Sequence, residues 1–422
     1  MKQIKIVGNK LLSGEIHIGG AKNSAVALIP ATLLSEEVCT INNVPNISDR
    51  DALLDILDTL NVKVEYHGTS VTIDPTKLEN NTISEAQSNK LRASYYFMGV
   101  LLARFGYVEM FYPGGCNIGS RPIDLHLKGF EALGSKITHD EKNHKYIVKA
   151  DKLTGARIKL NFASVGATIN IMFAATLASG TTVIENAAKE TEIINIADYL
   201  NKMGAKISGA GTSKITITGV TSLHSAEIDV IPDRIEAGTY IIIGSLLGKN
   251  LKVCGVNFDH ITALLNKLND MNIKYVIDND TITISKSEDI HPINITTLVY
   301  PGFPTDLGQP MSVLLTQANG ISLFEETIWE NRMGHVPHLN KMGANIELKD
   351  NTHAIIHGPT KLKGSDINAT DLRGGAALVI AGLIAEGTTT INNIEYILRG
   401  YENIINKLKK VGADIKIIDN KE

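Results

Sequence analysis

Cysteine is scarce in this chain: Cys39, Cys116 and Cys254 are the only three in 422 residues, and none stands at CxxC spacing. An odd, unpaired set excludes a disulfide framework and argues against a structural zinc site built on paired thiols. Excess charge is lacking too. A net charge of -4 gives no overall basic field of the kind that holds nucleic acid, although a local anion pocket stays open. There is no GxxxxGK[ST] loop, and Gly19-Gly20-Ala21-Lys22-Asn23-Ser24 lacks its spacing, which argues against a nucleoside-triphosphatase. The twelve histidines are scattered, and His335 with His338, read as sharing a helix, lack the glutamate of a zincin motif. The expectation is therefore no metal and no cofactor, with these two histidines at the surface. The first sixteen residues alternate like a strand and lack the long apolar core and small-residue cleavage site of a secretory signal, so a cytoplasmic protein is expected.

What is present is a globular composition, 43% apolar and 20% charged, in a chain longer than one hydrophobic core usually serves. Two domains are the prior. A short phrase recurs six times: Thr59-Leu60-Asn61-Val62-Lys63-Val64, Ala132-Leu133-Gly134-Ser135-Lys136-Ile137, Lys202-Met203-Gly204-Ala205-Lys206-Ile207, Asp270-Met271-Asn272-Ile273-Lys274-Tyr275, Lys341-Met342-Gly343-Ala344-Asn345-Ile346 and Lys410-Val411-Gly412-Ala413-Asp414-Ile415. The period is about seventy residues. In each copy an amphipathic helix runs into a Gly or Asn suited to a left-handed cap, and a hairpin follows. The second strand reads at 71–73, 147–148, 215–217, 282–284 and 354–356. The sixth copy lacks one. Residues 3–7, with 14–18 as their hairpin partner, are expected to supply it.

Upstream in each unit lies a helix that is apolar nearly all round, read at 25–35, 95–104, 169–179, 239–247, 310–317 and 376–385. Runs of roughly ten residues are too short to span a bilayer, so these helices belong inside the protein. The predicted fold class is α/β, with two inside-out domains of three repeated units each, helices buried and sheets outside. The domain division is expected at 22–230 and 231–422, the second completed by 1–21.

Polar residues gather just before these helices: Lys22-Asn23, Arg92, Ser164-Val165-Gly166, Asp233-Arg234 with Glu236, Asp306 with Gly308, and Asp371 with Arg373. Parallel helices would bring their free N–H groups to one surface attractive to phosphates and carboxylates, and two such domains would enclose a cleft. Asp233 and Asp371 also suit plain N-caps. Lys22, Arg92 and Arg373 oppose the helix dipole and need either a bound anion or a carboxylate partner. The segment Pro113-Gly114-Gly115-Cys116-Asn117-Ile118-Gly119-Ser120-Arg121 reads as a glycine-rich mobile lid carrying an anion-clamping arginine. Within it Cys116 has no apolar neighbours at strand or helix spacing. Beside cations such a thiol can donate a proton or act as a nucleophile near neutral pH, whereas Cys39 and Cys254 sit in apolar runs and read as buried small hydrophobes.

With Gly20-Ala21-Lys22-Asn23, Leu91-Arg92-Ala93-Ser94, residues 113–124, Ser164-Val165-Gly166-Ala167-Thr168, Pro232-Asp233-Arg234-Ile235-Glu236, Phe303-Pro304-Thr305-Asp306, Glu330-Asn331-Arg332 and Ala369-Thr370-Asp371-Leu372-Arg373, the chain resembles, end to end, the UDP-N-acetylglucosamine enolpyruvyl transferase (1-carboxyvinyltransferase) family of peptidoglycan synthesis. The resemblance implies two closing inside-out domains, no cofactor, a monomer, and phosphoenolpyruvate and UDP-N-acetylglucosamine as substrates. It implies that Lys22, Asn23, Arg121 and Arg399 hold phosphoenolpyruvate. The sugar nucleotide would be bound by Asn23, Arg92, Arg121, Pro122, Ile123, Asp124, Leu125, Ser164, Val165, Gly166, Asp306 and Ile328. Catalysis would fall to Cys116 as acid, Asp306 at the sugar hydroxyl, and Lys22. One departure stands out: Phe162 occupies a position where some relatives carry lysine, removing a contact to the diphosphate. Three other readings remain open: the sister enolpyruvyl transferase acting on shikimate 3-phosphate, an RNA 3'-phosphate cyclase on a related fold, and a catalytically silent sugar-nucleotide sensor.

Overall fold

Six amphipathic helices, Ser48–Thr59, Asp124–Ala132, Thr191–Lys202, Thr262–Asp270, Val336–Lys341 and Ile404–Lys410, all stop in the same way in the computed structural model, which describes residues 2–112, 114, 118, 119 and 122–419. The residue predicted to be left-handed has positive φ in every copy: Asn61 59°, Gly134 99°, Gly204 100°, Asn272 62°, Gly343 102° and Gly412 102°. The next N–H then reaches back to the helix, as in Val62 to the Leu57 carbonyl at 2.9 Å and Ala413 to Leu408 at 3.0 Å. This double-bonded cap satisfies carbonyls that would otherwise be orphaned and turns the chain into the following strand.

The apolar helices are Lys22–Ala31, Tyr96–Phe105, Val165–Thr176, Arg234–Leu247, Thr305–Leu315 and Leu372–Ile384. From Gly166 to Thr176 every residue is buried, and the six small sheets lie around such helices. Five of the six begin earlier than their apolar runs suggest, because the first turn carries the polar residues that the run excludes. Lys22, Asp306 and Arg373 therefore sit in the opening turn, while Ser164, Asp233 and Asp371 are the caps before it. Close packing of Tyr96–Phe105 against Val165–Thr176 depends on Gly99, where a Cβ would fall 2.5 Å from the Asn170 carbonyl oxygen. The Gly99 N–H instead donates to Asn170 Oδ1 at 2.9 Å.

Contacts divide the described residues into two compact units: 20–112, 114 and 122–231, and 2–19, 118, 119 and 232–419. The third repeat shows the basic sheet, in the order Lys206–Ser208, Lys214–Thr218, Thr181–Glu185 and Arg157–Lys159. Its last pair runs parallel, joined through the buried helix. Strand Leu12–His17 precedes the first buried helix in sequence, yet it pairs in parallel with Gly248–Cys254 of the fourth repeat. Strand Glu227–Asp229 precedes the fourth buried helix, yet it pairs in parallel with Cys39–Asn42 of the first.

The expected N-terminal hairpin does not form. Lys2–Val7 lies antiparallel between Thr388–Asn392 and Asp414–Asp419, supplying the strand the sixth repeat lacks, while Leu12–His17 joins a different sheet. Both strands alternate correctly for a hairpin, and only the distant partners decide otherwise. Histidine placement also differs from expectation. His335 is the residue before helix Val336–Lys341 and is fully buried, its Nε2 2.8 Å from Ser312 Oγ. Burial pushes it down to about 4, so it is neutral and packs as a core hydrogen-bonding group.

Where the chain passes from Gly19 to Gly20, the Gly19 N–H donates to Glu236 Oε2 at 2.9 Å, and Lys407 Nζ lies 2.6 Å from Glu236 Oε1. Burial raises Glu236 to about 7, with Lys407 opposing the rise. A carboxyl raised in the folded state contributes stability that is complete below its ordinary 4.5 and is lost as pH rises through about 7. Thermal unfolding followed from pH 4.5 to about 7 should thus show a declining midpoint, and Glu236→Gln should flatten that decline. An unchanged slope in the variant would remove Glu236 as its source. Among the described residues no helix is long and apolar enough to cross a membrane.

Candidate active site

The caps and opening turns of the buried helices hold several of the predicted site residues, among them Lys22, Asn23, Ser164, Val165, Gly166 and Asp306. In the unit containing residues 20–231, Lys22 is the first residue of its helix, and its Nζ lies 3.0 Å from Oδ2 of the buried Asp49. A lysine here opposes the helix dipole, and the paired Asp49 carboxylate supplies the compensation. Asn23 follows it, half-buried. Arg92 opens the short helical turn Arg92–Tyr95 and lies over the Tyr95 ring, 5.7 Å from its centroid. Tyr95 packs edge-on against His126, which burial, reinforced by Arg92, pushes down to about 3, keeping it neutral. A second cation beside Arg92 is thereby avoided.

Ser164 caps the third buried helix, accepting from the Ala167 N–H at 3.3 Å, and Val165 and Gly166 form its first turn. Gly166 is required there, since a Cβ would fall 2.7 Å from Tyr95 Oη and 2.9 Å from His126 Cε1. The missing side chain lets Tyr95 and His126 pack directly against this first turn. Phe162, just ahead of this turn, is exposed. Pro122 and Asp124 are exposed, Leu125 is half-buried and Ile123 buried, at the start of helix Asp124–Ala132.

In the unit containing residues 232–419 the centre is Asp306. Its Oδ1 accepts from Arg332 Nη2 at 2.7 Å and its Oδ2 from Arg373 Nη2 at 3.0 Å. Both guanidiniums are nearly inaccessible, at 5% and 3% of side-chain area, while the carboxylate is 25% exposed. Burial alone would depress Arg373, and Asp306, with Tyr401 and Asp233, more than reverses this, leaving it firmly charged. Arg332 Nε and Arg373 Nη1 are buried donors with no hydrogen-bond partner among the described residues, so the cluster holds two cations around one carboxylate with donors to spare.

Behind it, Thr305 Oγ1 accepts from Arg332 Nη1 at 2.6 Å and donates to Glu326 Oε2 at 2.7 Å. Glu326 Oε1 in turn accepts from the Ile328 N–H at 2.8 Å, which fixes the predicted nucleotide contact Ile328. Asp233 and Asp371 serve as N-caps, each accepting from two backbone N–H groups. Arg399 ends the short helix Glu395–Leu398 and is half-buried. Cys116 and Arg121, the expected acid and anion clamp of the lid, lie outside the described residues.

Sequence reasoning missed Asp49, Arg332 and His126 as the groups that hold Lys22, Asp306 and the Arg92 turn. Asp49 looks like an ordinary first-turn acid of an amphipathic helix, and only Arg332 stood in a segment already singled out.

A family model described as EPSP synthase (3-phosphoshikimate 1-carboxyvinyltransferase) matches residues 6–408. UDP-N-acetylglucosamine 1-carboxyvinyltransferase 2 of Streptococcus pyogenes serotype M1 is 49% identical over 420 residues, covering 100% of both chains. UDP-N-acetylglucosamine 1-carboxyvinyltransferase 1 of Streptococcus agalactiae serotype Ia is 48% identical over 99% of this chain and 100% of its own. Among solved structures, the enolpyruvyl transferase NikO from Streptomyces tendae superimposes with a TM-score of 0.90 at 25% identity, covering 99% of this chain and 98% of that one. An EPSP synthase from Acinetobacter baumannii, at 18% identity and a TM-score of 0.77 over 99% of this chain and 100% of its own, shares the fold. The inside-out α/β architecture read from the repeat is thus the enolpyruvyl transferase fold. With relatives nearly half identical along its whole length, the chain belongs to the UDP-N-acetylglucosamine 1-carboxyvinyltransferase branch of the EPSP synthase family.

Proposed function

We propose that this chain transfers the enolpyruvyl group of phosphoenolpyruvate to the 3-hydroxyl of UDP-N-acetylglucosamine, releasing phosphate, as a cytoplasmic monomer serving peptidoglycan synthesis. The observation that carries this reading is the full-length 49% identity to an enzyme named for that reaction. In it, Cys116 gives its proton to the methylene carbon of phosphoenolpyruvate as the sugar O3 bonds to the neighbouring carbon. The hydroxyl proton passes toward Asp306. Phosphate then leaves with its electron pair while the new methyl group gives up a proton, restoring the carbon–carbon double bond as the enol ether.

Lys22, Asn23, Arg121 and Arg399 take the carboxylate and phosphate of phosphoenolpyruvate. Arg92, residues 121–125, Ser164, Val165, Gly166 and Ile328 take the sugar nucleotide, with Asn23 and Asp306 near its reacting end. The grip of Arg332 and Arg373 on both oxygens supports the role of Asp306, because it holds the carboxylate in one orientation for hydrogen-bonding the sugar hydroxyl as charge develops. Residues 113–124 act as a lid that excludes water while the adduct forms.

The direct test is phosphate release from phosphoenolpyruvate with UDP-N-acetylglucosamine, with shikimate 3-phosphate, and with no acceptor. Release with the sugar nucleotide alone is expected, and release with shikimate 3-phosphate alone would move the chain to the sister activity. Release with neither would favour a silent sensor. A smaller effect concerns Phe162, whose exposed ring stands ahead of the Ser164 helix start. Phe162→Lys should lower KM for the sugar nucleotide by about two- to five-fold, the scale of one added charge contact at a partly exposed helix end, and leave kcat unchanged. An unaltered KM would mean the diphosphate does not reach this residue.

A further inference from the structure

Outside the transferase residues, strands Leu12–His17 and Gly248–Cys254 run in parallel with Glu15 opposite Lys252 and His17 opposite Cys254. Alternation sends all four side chains to one face. There a carboxylate oxygen of Glu15, a ring nitrogen of His17 and the Cys254 sulfur lie within 4.8 Å of one another. Three points distinguish the grouping from a chance cluster of surface acids. The donors are of three kinds, and a thiol with an imidazole is the pair that prefers borderline-soft metals over calcium or magnesium. The thiol is 92% buried, from an exposure of 8%, yet faces the other two donors and makes no hydrogen bond among the described residues. Finally, Glu15 has its two oxygens divided between tasks: Oε1 pairs with Lys252 at 3.0 Å while Oε2 lies 3.8 Å from His17 Nε2.

We propose that Glu15, His17 and Cys254 form a binding site for a borderline-soft divalent transition-metal ion, zinc foremost, with solvent as the fourth ligand. Tetrahedral zinc places such donors roughly 3.3 to 3.7 Å apart, so closure requires a contraction of about 1 Å. The two exposed side chains, His17 at 76% and Glu15 at 50%, have the freedom to supply it. Lys252 acts on the carboxylate from behind, as a group that orients a ligand, through its 3.0 Å contact with Glu15 Oε1. Binding releases the thiol proton to solvent and changes no oxidation state. The ion ties the N-terminal edge strand to its sheet and stabilises the unit that strand completes.

The test uses the full chain carrying Cys116→Asp, so that the thiols left are Cys254 and Cys39, the latter 1% exposed. Metal-stripped protein titrated with cobalt(II) should develop a thiolate-to-cobalt charge-transfer band at one equivalent, discharged by zinc. Cys254→Ser should abolish the band, and His17→Ala and Glu15→Gln should each weaken affinity by about tenfold or more. Zinc should raise the unfolding temperature of the parent protein but not of His17→Ala, a change at an exposed side chain that the fold tolerates. No band, or a band indifferent to Cys254→Ser and His17→Ala, would overturn the site and leave an adventitious ion only.

Discussion

Asp306→Ala should cost about 3 to 5 kcal/mol of stability in the unit containing residues 232–419, the scale of breaking a buried charge pair. Arg332 and Arg373 are almost inaccessible, and Asp306 is the carboxylate that both donate to. Removing it leaves two desolvated guanidiniums facing each other. Denaturant unfolding followed by far-UV circular dichroism would read the loss, and a change below about 1 kcal/mol, the scale of an exposed pair, would show that solvent already screens the cluster. Turnover should fall in parallel by about 10²- to 10⁴-fold, as expected for a lost proton acceptor. Asp306→Asn separates the two effects, because an amide retains an acceptor for one arginine. It should recover part of the stability without recovering the rate. Equal recovery of both would make Asp306 a positioning residue for the arginines.

Cys116→Ala should reduce kcat by a similar 10² to 10⁴, the usual contribution of a general acid, with little change in the KM of either substrate. A variant of undiminished turnover would end the acid assignment. Cys116→Asp should retain activity, since a carboxylic acid also donates a proton. An ordinary aspartic acid loses its proton near pH 4 whereas a thiol keeps it to about 8.5. The activity of the aspartate variant should accordingly decline with rising pH through a range where the parent enzyme is level. A dead aspartate variant would instead indicate a need for sulfur itself.

How much of this could be read in the sequence varied with distance along the chain. The six helix ends were legible because a single Gly or Asn determines a left-handed turn, and positive φ occurs at each of those residues. Helix starts were read late because Lys22, Ser164 and Arg373 interrupt the apolar pattern while still belonging to the helix or its cap. Pairing between remote segments left no local trace. Lys2–Val7 meets strands at the far end of the chain, and Arg373 reaches an aspartate 67 residues away. His335 was expected at the surface, on a helix with His338, because a histidine outside any metal or catalytic motif usually lies there, and its burial depends on Ser312 and Gln309. The grouping of Glu15 and His17 with Cys254 was invisible for the same reason, since the register of two parallel strands creates it.

The position of strand Lys2–Val7 has a bearing on how the chain is made. At about 5 to 20 residues per second, a ribosome needs roughly 20 to 80 s to add the 400 or so residues separating this strand from its partners. Ile4 and Ile6, fully buried in the folded protein, emerge long before those partners and remain uncovered for that whole interval. The stretch from 20 to 231, by contrast, contains all its own sheet partners and can complete itself while translation continues. Nascent chains halted shortly before residue 388 should therefore resist protease across residues 20–112 and 125–231 and remain open to it over residues 2–7.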